Sequence, residues 1–427
     1  MLSGDNGIIK RAGKAKENSE IAEDKEIIET AIIHAMGKNK YGNLEEENLR
    51  NELSKYHAEV NPKGSNFNVK MHGRDYIISK TGDVNYYEYM RSTDIYWRFD
   101  SNNGMLYLRS TEKDEKGNIY TKGMSWSEYK ANIKEVTIEE PIAPTSTNSM
   151  FFECTELTKI NNIHNLHTEN VENMMWMFGR CKKIKEIDVT GFDTSKATNM
   201  GYMFNGCNAL EKLDVSGFDT TKAKSLEAMF TSCYALKQID VSHFDTSKIN
   251  SMYCMFQCCR SLTTLDVSNF NTENVKDMSH AFDGCNNMKR LDVSNFNTKK
   301  VTKFNSMFQD FYLLEKLDVL NFDTSSATNL GHMFNDCHEL KEIDVSSFDT
   351  SKVTSMENMF SNCKKLEKIY ASSTFNINSV TSSKDMFLYA SKLIGGNGTN
   401  FSSSFIDKTY ARIDNPPDSP GYFTLRE

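Results

Sequence analysis

The stretch LEKLDVSGFDTTKAKSLEAMFTSCYA, residues 210–235, decides how the rest of the chain is read, because it recurs. Phe192, Phe218, Phe244, Phe270, Phe296, Phe322 and Phe348 stand 26 residues apart. A second phenylalanine, usually preceded by methionine, runs from Phe151 through Phe178, Phe204 and Phe230 to Phe360 and Phe387 in steps of 26 or 27. A fixed period of roughly 20 to 50 residues marks a solenoid, propeller or array. A unit this short cannot bury both of its faces alone, so neighbours must stack into one continuous core.

Each unit contains two apolar rhythms. In Leu213-Asp214-Val215-Ser216 apolar and polar residues alternate, which predicts a half-buried strand with Leu213 and Val215 inward and Asp214 and Ser216 outward. Further on, Val353, Met356, Met359, Phe360 and Cys363 fall at i, i+3, i+6, i+7 and i+10, the spacing of one helix face. Between the two, Phe-Asp-Thr-Ser supplies oxygens able to cap a helix start or to close a tight turn. The expected fold is therefore an α/β repeat. It is a leucine-rich-repeat-like curved solenoid with a parallel strand ladder on one side and short helical return arms on the other. With strands about 4.8 Å apart, nine units span roughly 40 Å, enough for a protein partner.

These units resemble those of the BspA-like leucine-rich-repeat surface proteins, in particular the bacterial 26-residue surface-protein repeat, over residues 95–427. The resemblance implies a secreted or surface-bound, adhesive protein that binds a protein or glycan, host and matrix molecules among them.

The array needs caps. YWRFDSNNGMLYLR, residues 96–109, reads as a hairpin turning at Asn102-Asn103-Gly104, followed by a short helix at 126–129 and a strand at 136–138. Residues 93–147 are thus the N-terminal cap, and 148–427 the array with its C-terminal cap. The first unit carries one extra residue between Ile160 and Leu166, which predicts a bulge, and the pattern loosens after Phe375. Residues 1–92 differ in kind. An amphipathic helix is expected over 8–36 with Ile21, Ile28 and Ile32 on one face, and a second helix over 44–57. Residues 67–89 read as short strands turning at Gly73 and at Gly82-Asp83. This order resembles the soluble part of type IV pilin-like and pseudopilin proteins, and implies a small α+β stem. In that family an apolar helix lies just upstream, so a membrane anchor would precede Met1.

The totals exclude several functions. A net charge of -8 with 50 scattered basic residues leaves no basic footprint for nucleic acid. No run approaches the roughly 20 apolar residues a membrane span needs. The nine histidines show no HExxH spacing, and no GxSxG, P-loop or GxGxxG element sits between strand and helix. Catalysis needs a unique constellation and this chain offers repeated columns, so no enzyme and no cofactor are expected. The leading expectation is extracellular recognition. The alternative is a structural minor pilin that displays the solenoid as a tip.

Two columns merit attention. Cys154, Cys181, Cys207, Cys233, Cys259, Cys285, Cys337 and Cys363 share one slot, which Phe311 and Ala390 also fill. That is how a core position behaves, and free buried thiols are expected. Cys254 and Cys258 stand outside the slot and are expected nearer solvent. The column Asp188, Asp214, Asp240, Asp266, Asp292, Asp318 and Asp344 points outward on the strands. Carboxylates about 4.8 Å apart repel by about 1 kcal/mol per pair even in water, so something must offset them. Either each accepts nearby Ser, Thr or backbone N–H groups, or the stripe faces a ligand, calcium included. A second set, Asp193, Asp219, Asp245, Asp323 and Asp349, follows the phenylalanine and reads as turn structure.

Overall fold

The computed structural model describes residues 95–426 without interruption. Before them it describes 24, 27, 28, 30–32, 34, 35, 44–63, 66–71, 74–79 and 84–87. The chain parts into two compact units, Met1–Arg91 and Ser92–Glu427.

In the first unit the described residues between 24 and 35 are helical, and α1 (Glu46–Leu53) continues into a 3-10 turn, Ser54–Tyr56. An antiparallel meander follows: β1 (Glu59–Lys63), β2 (Asn66–Met71), β3 (Arg74–Ser79) and β4 (Val84–Tyr87). Ile28, Ile32, Leu49, Leu53, Val60, Tyr76 and Ile78 form its core. The rest of the expected helix, with Ile21, and the turns at Gly73 and at Gly82-Asp83 lie outside the described residues.

The second unit opens on the expected hairpin, β5 (Tyr96–Asp100) with β6 (Met105–Arg109). β7 (Thr121–Lys122), β8 (Glu135–Ile138) and β9 (Lys159–Asn161) complete a five-stranded cap. Its last pairings, β6 with β8 and β8 with β9, are parallel and lead directly into the array. The extra residue of the first unit is absorbed by a 3-10 turn, Ile163–Asn165, entered through left-handed Asn162.

The array is a β-solenoid of stacked coils, and its return arms are not helices. The buried positions fit the helical reading: Met174, Met177, Phe178 and Cys181 are all fully enclosed. The backbone does not. Trp176 and Arg180 are left-handed, φ 59° and 61°, and the same two places recur in later coils, as at Ala228 and Ser232 or Ser306 and Asp310. Two residues, four apart, thus reverse the chain's twist in each arm. Three-residue turns close within the coil, Met177 N–H to Met174 C=O at 3.2 Å and Cys181 to Phe178 at 3.1 Å. The alternate amides point out of it: Trp176, Phe178 and Arg180 donate to Gly201, Met203 and Asn205 of the next coil, at 3.2, 2.9 and 2.6 Å.

Coil spacing explains the correction. The marker phenylalanines stack face to face, Phe178 on Phe204 at 5.7 Å, Phe204 on Phe230 at 5.9 Å and Phe256 on Phe282 at 5.9 Å. Packed helices need axes about 8–10 Å apart, so helical arms cannot stack at this repeat. A non-glycine residue in the left-handed region costs roughly 1 kcal/mol or more, and the inter-coil hydrogen bonds offset it. Glycine takes that place only at Gly206 and Gly284, both φ 73°.

The strand side also departs from a continuous ladder. β10 (Glu186–Ile187) pairs in parallel with β11 (Lys212–Leu213), and at the far end β12 (Glu342–Asp344), β13 (Lys368–Ala371) and β14 (Phe423–Leu425) form a parallel sheet. Among the described residues, coils between 214 and 341 make no strand pairing there. Their closest parallel bridging lies at the start of the return arm, as at Ser251↔Asp277, Asp277↔Lys303 and Lys303↔Asn329. The coils are held together on the arm and stand open on the strand side. Ile239, Leu265 and Leu317 keep 8–9% exposure, against 1% at Ile343 and none at Ile369, and Leu213, paired with Ile187 on one side only, keeps 8%.

A column invisible to an apolar count joins each coil to the next. Thr194, Thr220, Thr246, Thr272, Thr298, Thr324 and Thr350 are all buried. Thr246 Oγ1 accepts the Asn271 N–H at 2.8 Å and donates to the Asn271 carbonyl at 3.0 Å, and Thr194, Thr272 and Thr298 repeat both bonds. One hydroxyl therefore satisfies a donor and an acceptor of the next coil. The Phe-Asp-Thr-Ser segment staples coils rather than starting a helix.

Candidate functional site

The outward aspartates hold their expected places. Asp188, Asp214, Asp240, Asp266, Asp292 and Asp318 are exposed, and Asp344 is half-buried. Each spends one oxygen on its own turn. Asp240 Oδ1 accepts the Ser242 N–H at 3.0 Å and its hydroxyl at 2.7 Å, and Asp188 does the same with Thr190. Asp214, Asp266, Asp292, Asp318 and Asp344 accept the N–H two residues on, at 2.9–3.0 Å. The hydroxyl and N–H of the following serine hold Asp214, Asp240, Asp266 and Asp292 below the usual carboxylate range. Repulsion from Asp240 and Asp292 reaches Asp266, but it is weaker than those hydrogen bonds. The turn is what lets like charges stand in file.

These residues border the open side. A groove of about 1060 Å³ is floored by Leu213, Val215, Ile239 and Leu265 and edged by Asp214, Asp240, Asp266, Gln238, Thr263 and Thr264, with Lys289 and Arg290 at one end. A second, of about 690 Å³, continues past Asp214 toward Asp188, between Lys212, Lys237 and Glu186.

One aspartate of the column is occupied. Asp344 Oδ1 serves the turn through Ser346, and Oδ2 takes the guanidinium of Arg426 from the chain's own C-terminal strand. The same guanidinium lies over the Tyr370 ring, 4.8 Å from its centroid, and Tyr370 pairs with Asp344 across the ladder. The pattern of Asp columns does not foretell this pair, since Arg426 lies beyond the last repeat.

The second aspartate set is turn structure. Asp193, Asp219, Asp245, Asp323 and Asp349 each accept the N–H two residues on, at 2.8–3.0 Å. The column cysteines are free and buried, and from Cys181 onward they donate to a carbonyl of the coil before, as Cys181 does to Phe151 at 3.1 Å. Burial pushes Cys207 and Cys363 up to about 12. Of the two cysteines expected near solvent, Cys258 is partly open, but Cys254 is buried at 5% exposure. Both stand at left-handed positions, where the turn and not a helix face sets the direction of the side chain.

The outer side of the return arm carries a carboxylate group that sequence reading overlooked. Asp310 and Asp336 occupy one left-handed place in neighbouring coils, and Asp283 stands one residue off it in the coil before. Asp283 meets His280 and Gln257, both at 2.9 Å, and Asp336 meets His338 at 3.1 Å. Burial, then Asp283 and Asp336, push Asp310 up to about 6. The 26-residue spacing of Asp310 and Asp336 was the available signal. Among the described residues no group of three or more His, Cys, Asp or Glu is placed to hold a metal ion.

Comparison with known proteins agrees with this architecture. The family described as "Mycoplasma protein of unknown function, DUF285" matches residues 145–260, 235–316 and 277–401, more than half of the chain. The chain belongs to that family. The matches overlap because one DUF285 span takes in several coils and can be laid on the array in more than one register. The DUF285 match and the repeat solenoid together fit a BspA-like repeat surface protein. No curated protein matches the chain.

Proposed function

We propose that this DUF285 protein is a non-enzymatic recognition protein of the bacterial cell surface, which binds a protein or glycan partner on the open strand side of its solenoid. The groove across the coils of Leu213, Ile239 and Leu265 carries the reading. Its apolar floor is reachable, its rim residues are not needed for core packing, and the coils beneath are fixed by stacked rings and threonine staples. Rim side chains on a rigid base lose little freedom on binding, which favours affinity. Residues outside the array fit a stem: helix followed by an antiparallel meander is the order of a pilin-like soluble part. No helix among the described residues is long and apolar enough to cross a membrane.

The test is a screen of the full chain against immobilised matrix proteins and a glycan array, repeated with Thr264→Trp, which fills the groove from an exposed rim position. A partner that binds the wild type and loses at least about tenfold with the variant supports the reading, since that loss is about 1.4 kcal/mol. A partner that binds both equally places recognition elsewhere.

A further inference from the structure

Resting on that reading of the open face, we infer that the groove takes an extended peptide segment bearing arginine or lysine at alternate positions, one cation to each of Asp214, Asp240 and Asp266. The chain supplies the precedent. Asp344 divides its two oxygens, Oδ1 to the turn and Oδ2 to Arg426. Asp214, Asp240 and Asp266 use Oδ1 in the same way. Among the described residues, no ion pair is made by these three carboxylates. Each repeats the turn bond of Asp344 and leaves its second oxygen without an ion pair, and the next coil sets a further carboxylate, Asp240, Asp266 or Asp292, where Asp344 has the Tyr370 ring.

The surroundings favour a cation. Between the three carboxylates the rim is neutral, Gln238, Thr263 and Thr264, and basic side chains stand beyond it, Lys289 and Arg290 at one end and Lys212 and Lys237 at the other. The exposed edges of Leu213, Ile239 and Leu265 give the long methylene stems of arginine and lysine an apolar bed while their heads stay at the rim. Spacing selects the conformation. The stacked rings repeat from coil to coil at 5.5–6.1 Å, and same-face residues of an extended chain recur every ~6.7 Å. A segment laid along the solenoid axis with every second residue basic presents one cation per coil, which a block of adjacent basic residues does not.

The experiment uses two fluorescein-labelled decapeptides of identical composition, five arginines and five threonines, alternating in one and blocked in the other. Anisotropy titrations against the full chain are run at about 150 mM salt, where interactions beyond roughly 8 Å are screened and only close pairs discriminate. The alternating peptide is expected to bind about tenfold more tightly than the blocked one. Asp240→Asn with Asp266→Asn is expected to remove that preference while leaving the fold intact, because asparagine Oδ1 still accepts the turn bond. Equal affinity of the two peptides for the wild type, or an alternating peptide indifferent to the double substitution, overturns the inference. If neither peptide binds but a screened partner is lost with Thr264→Trp, the recognition face stands and its basic-peptide chemistry falls. If Thr264→Trp leaves the partner bound, the face itself is wrong.

Discussion

Replacing Thr246 by valine tests the staple that joins the coils. Valine keeps the shape and the methyl group and removes only the hydroxyl, which accepts from the Asn271 N–H and donates to its carbonyl at a position 1% exposed. Losing it strands one buried donor and one buried acceptor. Each costs about 1–3 kcal/mol when left unmade, so the variant should lose about 2–4 kcal/mol, allowing for partial relaxation. Thr246→Ser keeps both bonds, loses one methyl and should cost about 1 kcal/mol. Denaturant titration followed by tryptophan fluorescence reads the right unit, because Trp97, Trp126 and Trp176 all lie within Ser92–Glu427. On apolar burial alone valine would be the milder change. A valine variant as stable as the serine variant would show that the column is a packing feature and that its hydrogen bonds are incidental.

Asp310→Asn should stabilise the protein at pH 7.5, by about 1–2 kcal/mol after discounting for its half-exposed setting. With its folded value raised to about 6, the cost of ionising Asp310 in the fold builds up from about pH 4 and is complete above pH 6. The two proteins should therefore unfold alike below pH 4, and a pH-independent difference between them would contradict the carboxylate crowding. Phe270→Ala, in mid-array at 2% exposure, should cost about 3–5 kcal/mol, and Phe375→Ala, at 8% in the closing coils, clearly less; equal midpoint shifts would argue against a single stacked core. In thiol titration of the folded protein Cys258 should react first, slowly because burial raises its thiol, and the column cysteines only on unfolding. Rapid labelling at Cys233 or Cys259 would undo their assignment to the core.

The repeat, the cap hairpin, the inward residues and the outward aspartates were all legible, because each follows from a period in the sequence. The conformation of the return arm was not. Met174, Met177, Phe178 and Cys181 are buried at the spacing a helix would use, and three-residue turns bury the same set. Composition did not signal the left-handed places, since side chains as unlike as tryptophan, arginine, cysteine, alanine, serine, histidine and aspartate fill them and glycine only two. What excludes helices is the coil repeat, seen in the ring separations and not in any single unit. The threonine column was in plain view at 26-residue spacing, but threonine is polar, and an apolar count passes over it. Arg426 on Asp344 could not be foreseen from periodicity, since one partner is unique.

The return arm gives the array a polarity. Amides such as Phe178, Phe204 and Phe230 all donate toward the higher-numbered coil, and in the last turn Phe387 donates to Ile406 of the closing segment. Along this run of the arm the stack is vectorial, like a filament with unlike ends: there one end presents acceptors and the other donors, while the amides just before it, as Thr198 to Glu172 and Thr302 to Lys276, donate the opposite way. The two caps are therefore not interchangeable. Whole coils can be gained or lost by in-register duplication, with each newcomer inheriting its neighbours' direction. An inverted coil would face donor with donor and acceptor with acceptor. Two such solenoids could be joined end to end only head to tail.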